Sequence, residues 1–92
     1  MPEGGPPKRA TALRYAEGSE APEVVATGRG EIARKILEAA EEAGVAVRRD
    51  PALVEALSQL DVGRFIPPEL YVAVAEALVW AYRLDAKASK GR

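Results

Sequence analysis

The sequence predicts a small α/β fold, with about three strands in a mixed sheet packed against about three helices in the order β-β-α-β-α-α. Two observations predict it. Short stretches near the N-terminus have the two-residue apolar period of strands, whereas residues 31–43 have apolar side chains at helical spacing. A further valine-rich stretch follows that helix directly, and a helix between two strands predicts a parallel pair joined by a right-handed crossover.

Two strands are predicted before the first helix. Residues 9–15 alternate, and Leu13 and Tyr15 mark the side expected to face the core. A polar, turn-rich connection over residues 16–22 leads to the adjacent Val24 and Val25, which indicate a second strand over residues 23–27.

The first helix and the third strand are predicted from the next segment. Gly28 and Gly30 flank the start of a helix over residues 31–43, with an apolar stripe formed by Ile32, Ile36, Leu37, Ala40 and Ala43. Gly44 occupies the position of a left-handed C-terminal cap. The third strand is expected over residues 45–48.

Two more helices are predicted towards the C-terminus. Asp50 and Pro51 have the residue types of an N-cap and a first helical position, and the short helix that they open buries Leu53, Val54 and Leu57. Residues 60–63, ending in Gly63, form a turn. Pro67 and Pro68 open a last helix to about Asp85, whose inward stripe is Tyr71, Val74, Ala75, Leu78 and Tyr82, with Trp80 at an edge.

The domain is therefore expected to span residues 9–85. Residues 1–8 contain two glycines and three prolines and predict a flexible leader, and residues 86–92 predict a flexible basic tail.

The composition restricts the classes of function. The net charge of −1 gives no reason to expect a nucleic-acid partner. No apolar run approaches the roughly 20 residues of a membrane helix, so we expect no direct membrane insertion. The N-terminal residues lack the apolar stretch of a signal peptide, and the chain is expected to be cytoplasmic.

The missing residue types exclude common chemistries. With no cysteine and no histidine, the usual zinc sites and histidine-based catalytic triads cannot be built, so we expect no metal, no cofactor and no enzyme activity. The Gly28–Gly30 turn lacks the lysine and Ser/Thr of a phosphate loop, which disfavours a nucleotide site. The absence of Asn and Cys also fits a thermophile's avoidance of heat-labile side chains.

Five blocks of sequence carry a resemblance to a known family: ALRY at residues 12–15, APEVVATG at 21–28, DPALVEAL at 50–57, DVGRFIPPELY at 61–71 and AVAEALVWAYRL at 73–84. Their order and spacing resemble the C-terminal cytoplasmic domain of the FlhB/YscU family, the export switch proteins of flagella and type III secretion systems. The resemblance implies fold-integrity roles for Gly28, Pro51, Gly63, Pro67 and Tyr71, and Gly44 is expected to be structural as the cap of the first helix.

Family members cut themselves at an Asn-Pro-Thr-His motif, in which the asparagine amide attacks its own main-chain carbonyl. The aligned residues here are Gly5, Pro6, Pro7 and Lys8, and the chain contains no asparagine and no histidine. The resemblance therefore implies a protein without self-cleavage. The chain also resembles a free-standing form of the fragment that follows the cut. Such a fragment has no upstream partner strand.

The missing partner strand predicts that residues 9–15 form an open sheet edge, which suits pairing with an extended segment. Leu13 and Arg14 on this edge, the loops at Arg29 and Arg64, and Trp80 are the candidate partner-binding residues. The resemblance implies protein partners at the export apparatus of the inner membrane. These are export-gate proteins such as membrane-bound FlhB, export substrates or the length-control protein. Self-association through the edge and an adaptor role outside export remain open alternatives.

Overall fold

The computed structural model describes the backbone of residues 9–90 and the side chains of residues 9–84. The elements are β1 (Arg9–Arg14), β2 (Glu23–Arg29), α1 (Glu31–Ala43), α2 (Pro51–Leu57) and α3 (Tyr71–Lys90), with a 3₁₀ turn at Pro68–Leu70 before α3. The predicted α/β class with three helices is confirmed. The last helix continues to Lys90 instead of ending near Asp85.

The sheet is an antiparallel pair with one irregularity. Ala12 is opposite Ala26 but Leu13 is opposite Val24, so Val25 is an extra residue on β2. Such a β-bulge bends the strand and increases its twist.

The other edge of β2 is covered by the segment from Gly63 to Ile66. The Gly63 amide donates to the Val24 carbonyl (2.7 Å), and the Val24 amide donates to the Arg64 carbonyl (2.9 Å). The Ile66 amide donates to the Pro22 carbonyl (2.8 Å). In the described part of the chain, β2 is therefore the inner strand and β1 is the edge.

The core lies between one face of the sheet and helices α2 and α3. Its buried members come from four different elements, Val24, Leu57, Ile66 and Val74. Half-buried leucines surround them, namely Leu13, Leu53, Leu60, Leu70 and Leu78. Because side chains alternate along a strand, the opposite face of β1 carries Ala10 and Ala12 and packs against α1, where Ala33 is fully buried.

The predicted C-terminal cap of α1 and the predicted start of α2 are confirmed. Gly44 is left-handed, and its amide and the Val45 amide donate to the Glu41 and Ala40 carbonyls (3.2 and 2.9 Å), which is a Schellman cap. Asp50 accepts the Leu53 amide (3.1 Å) at the start of α2. On the exposed face of α1, the hydrogen bond from Arg34 lowers the pKa of Glu31.

The third predicted strand, residues 45–48, is not formed, and these residues have no regular structure. The parallel pair and its crossover are therefore absent from the described residues. The physical reason is that a strand requires a neighbour: the Val45 amide is used by the α1 cap, and Arg48 is bonded to the main chain of α3. Val45 and Val47 remain exposed.

Four large side chains predicted to face inward are exposed: Tyr15, Ile32, Tyr71 and Tyr82. The prediction was wrong for these residues because the core is narrow. Ala33 rather than Ile32 is the buried residue of α1, and Val74 and Leu78 already fill the inward side of α3. None of the helices in residues 9–90 is both long enough and apolar enough to cross a membrane.

Ile66 is expected to be the critical residue of the segment that covers β2. Its side chain is 2% exposed, whereas that of the neighbouring Phe65 is 57% exposed. Ile66→Ala removes buried methyl groups and leaves a cavity, so it should lower the free energy of unfolding by about 2–5 kcal/mol. Chemical denaturation followed by circular dichroism measures this.

The matched control is Phe65→Ala, which changes the adjacent and larger side chain in the same main-chain setting. It should cost about 1 kcal/mol or less. An equal loss of stability in the two variants would contradict the position of Ile66 in the core.

Candidate functional site

The main-chain groups of β1 form an open edge among the described residues. Both polar groups of Val24 bond to the segment 63–66, so in the Leu13–Val24 pair the two main chains do not bond to each other. The amide and carbonyl of Leu13 therefore point away from β2, and by alternation so do those of Thr11 and Arg9. This is the arrangement that accepts an added strand.

The predicted partner-binding residues of this edge have different surroundings. Leu13 directs its side chain into the core, so only its main chain is available at the edge. Arg14 is exposed and forms an ion pair across the sheet with Glu23 (3.1 Å). An exposed pair of this kind stabilises the fold little, and it leaves Arg14 accessible.

The other predicted arginines do not form one patch. Arg29 is exposed at the far end of β2, opposite Arg9. Arg64 is exposed near the Glu23 end of the sheet, where its carbonyl accepts the Val24 amide. The structure thus brings Arg14 and Arg64 to the same end of the sheet and leaves Arg29 at the other.

A groove lined by three tyrosines begins where β1 ends. Tyr15 follows the last residue of the strand, and Tyr71 and Tyr82 face it from α3. The depression has a volume of about 330 Å³, and its lining is completed by loop and α3 residues, namely Glu20, Ala21, Pro22, Val74, Ala75, Leu78 and Val79. We refer to it as the tyrosine groove.

Sequence reasoning missed this groove because it assigned all three tyrosines to the core. Helical spacing gave no signal against this assignment for α3, because positions 71, 74, 78 and 82 fall on one stripe of the helix.

Trp80 lies on a different side of α3, beside the loop before α2. The Arg48 guanidinium carbon is 6.0 Å from the centre of the Trp80 ring, within the range of a cation–π contact. Arg48 also donates to the Glu76 carbonyl (3.3 Å). The depression around them is the arginine–tryptophan cleft, lined by Arg48, Val72, Ala75, Glu76, Val79, Trp80 and Arg83.

Two of the predicted structural glycines have a physical requirement for glycine. A Cβ on Gly28 would lie 2.8 Å from the Cβ of Ile32, too close without a shift of α1. Gly63 has φ of 94°, a conformation that other residues rarely adopt, and this turn aims its amide at Val24.

Pro51, Pro67 and Tyr71 occupy helix starts. Pro51 is at the first turn of α2. The Pro67 carbonyl accepts the Leu70 amide (3.0 Å) in the 3₁₀ turn, and Tyr71 is the first residue of α3. Tyr71 also lines the tyrosine groove.

The fold is that of cytoplasmic domains from bacterial export proteins. The chain superposes on the crystal structure of the cytoplasmic domain of FlhB from Shewanella putrefaciens with a TM-score of 0.82 and 34% sequence identity. The superposition covers 91% of this chain and 69% of that one.

The chain belongs to the FlhB HrpN YscU SpaS family, whose profile matches residues 5–81. It is 43% identical over 86 residues to protein YlqH of Bacillus subtilis (strain 168), covering 92% of each chain. It is 47% identical over 73 residues to flagellar biosynthetic protein FlhB of Aquifex aeolicus (strain VF5), covering 77% of this chain and 21% of that protein. The chain thus spans nearly all of YlqH and about a fifth of FlhB.

Residues 5–8, where the resemblance places the cleavage motif, lie outside the described residues. Their chemistry still yields a prediction. Gly5 has no side chain to attack its own carbonyl, and neither asparagine nor histidine occurs elsewhere.

The purified chain should therefore remain intact during prolonged incubation and after refolding from denaturant. Intact-mass spectrometry would measure this. A fragment that begins at Pro6 would contradict it.

Proposed function

We propose that this chain is a non-enzymatic component of the flagellar or type III protein export apparatus, and that it binds extended segments of its partners. Membership in the FlhB HrpN YscU SpaS family supports a role in export. The observation that carries a binding role is the open edge of β1, which leads directly into the tyrosine groove at Tyr15.

The β1 edge favours an extended segment over a folded surface. A strand added there receives main-chain hydrogen bonds from the outward-facing groups of Thr11 and Leu13. Residues 45–48 also have the composition of a strand but pair with none in the described chain. Both features are expected of a sheet that gains a strand from another segment.

The tyrosine groove supplies side-chain recognition next to this edge. Tyrosine rings give a large contact area at a low cost in conformational entropy, and they dominate binding energy at many interfaces. An apolar side chain from the same segment would fit between Tyr15 and Tyr82. We propose an exported substrate as the occupant, because many different substrates must share one site and main-chain pairing tolerates different sequences.

The other proposed partners would bind at the same two surfaces, the β1 edge and the tyrosine groove. Membrane-bound FlhB, another gate component or the length-control protein would bind at the β1 edge near Arg14. We propose that the chain acts in the cytoplasm, at the export apparatus on the inner membrane, and without self-cleavage. A second copy of the chain would compete for the same edge.

The test is recovery of partners from a native lysate with solubilised membranes, using the tagged chain and mass spectrometry. The unchanged chain should recover export-gate, flagellar or secretion proteins. Tyr82→Ala should weaken this binding about thirtyfold, because truncation of a central interface aromatic typically costs about 2 kcal/mol. Unrelated partners, recovered equally by both, would favour an adaptor outside the export system and contradict the proposal.

Phe65→Ala is the matched control. Phe65 and Tyr82 are exposed to nearly the same extent, 57% and 58%, but Phe65 does not line the groove. Phe65→Ala should therefore leave recovery unchanged. Thr11→Pro, which removes an outward-facing amide from β1 without removing a core side chain, should reduce recovery while thermal unfolding remains cooperative.

A further inference from the structure

The arginine–tryptophan cleft contains a cation held in place before any partner arrives. Arg48 is fixed by two contacts, the Trp80 ring at 6.0 Å and the Glu76 carbonyl at 3.3 Å. A long side chain usually loses rotamer freedom when it binds. The two contacts already restrict the rotamers of Arg48 in the free protein. Less rotamer freedom is therefore lost when a partner binds, which favours binding.

The walls of the cleft are apolar and exposed. Val72 and Val79 are 75% and 47% exposed, although both lie on the helix that supplies the core residue Val74. Single exposed valines are ordinary on protein surfaces. These two border one depression of about 610 Å³ beside a half-buried tryptophan, which is large enough for an apolar side chain.

The cleft is positively charged on a chain whose net charge is −1. It contains Arg48 and Arg83 against the single acid Glu76. The ion pairs among residues 9–84 are Arg14–Glu23, Arg34–Glu31 and Arg34–Glu38, and none involves Arg48 or Arg83. In the sequence, Lys87 and Lys90 follow Arg83 at helical spacings.

The geometry points to a binding site for an acidic segment of a partner protein, with one apolar side chain between its carboxylates. The apolar side chain enters between Val72, Val79 and Trp80, and the carboxylates pair with Arg48 and Arg83. Guanidinium groups bind carboxylates through two parallel hydrogen bonds, and Trp and Arg are the residues most enriched at interface hot spots. The depression is concave and carries Glu76 at its wall, which disfavours a flat anionic bilayer.

This site is separate from the tyrosine groove and does not rest on the export proposal. The two depressions lie on opposite sides of a ridge on α3, and Ala75 and Val79 line both. A partner could therefore occupy one without the other.

Trp80 is the only tryptophan, so its emission reports on the cleft directly. The probe is a fluorescein-labelled synthetic peptide of Glu-Glu-Leu repeats, and anisotropy gives its Kd. We expect saturable binding with a change in Trp80 emission. Arg48→Gln should raise the Kd about tenfold, the usual effect of losing a charge-assisted hydrogen bond. Roughly 1 M salt should weaken binding, because it shortens the range of exposed charges.

Lys35→Gln on α1 is the matched control, because it removes the same charge at an exposed position outside the cleft. It should leave the Kd within about twofold, since the effect of a distant exposed charge is screened. The inference is overturned if a Gln-Gln-Leu peptide binds equally well, or if Lys35→Gln weakens binding as much as Arg48→Gln. It is also overturned if phosphatidylglycerol vesicles change Trp80 emission and the acidic peptide does not, which would indicate a membrane surface.

Discussion

The pairing of β2 with the segment from Gly63 to Ile66 is the interaction on which the rest of the structure depends. Three main-chain hydrogen bonds, between 2.7 and 2.9 Å, fasten this segment to β2. They place Ile66 in the core and direct the chain into the 3₁₀ turn and α3. Without them, β2 would be a second open edge, and α3 would lose its connection to the sheet.

The same pairing sets where binding surfaces can form. Because β2 is covered on both sides, the open edge of the sheet in the described part of the chain is that of β1. The 3₁₀ turn and α3 follow this segment directly in the chain. One side of α3 therefore borders the loop after β1, and its other side borders Arg48. The tyrosine groove and the arginine–tryptophan cleft are therefore both consequences of how one helix is attached.

Local features of this fold could be predicted from the sequence where single residues decide them. Asp50 and Gly44 define helix ends through their own conformational and hydrogen-bonding preferences, so α1 was predicted with the bounds that it has. The strand at residues 45–48 failed because pairing depends on a neighbour that sequence periodicity does not reveal. Tyr15 and Tyr82 failed for a related reason, since a small core is filled by shorter side chains and leaves the aromatic rings at its border.

The candidate sites also divide into features that the sequence could predict and features that it could not. The edge at Leu13 was predicted from the family resemblance, but its outward amide follows only from the hydrogen bonds of Val24. Trp80 was expected at an edge of the last helix, whereas its contact with Arg48 joins residues far apart in the chain. Family membership predicts the fold of this chain well, but the surfaces by which it would bind depend on such distant contacts.

Amide hydrogen exchange by NMR tests the central claim most directly, because it reads β1 and β2 residue by residue. The account predicts slow exchange at Val24, Gly63 and Ile66, whose amides donate to main-chain carbonyls, and fast exchange at Thr11 and Leu13 on the open edge. Protection at Leu13 equal to that at Val24 in the free monomer, or fast exchange at Val24 and Ile66, would contradict it.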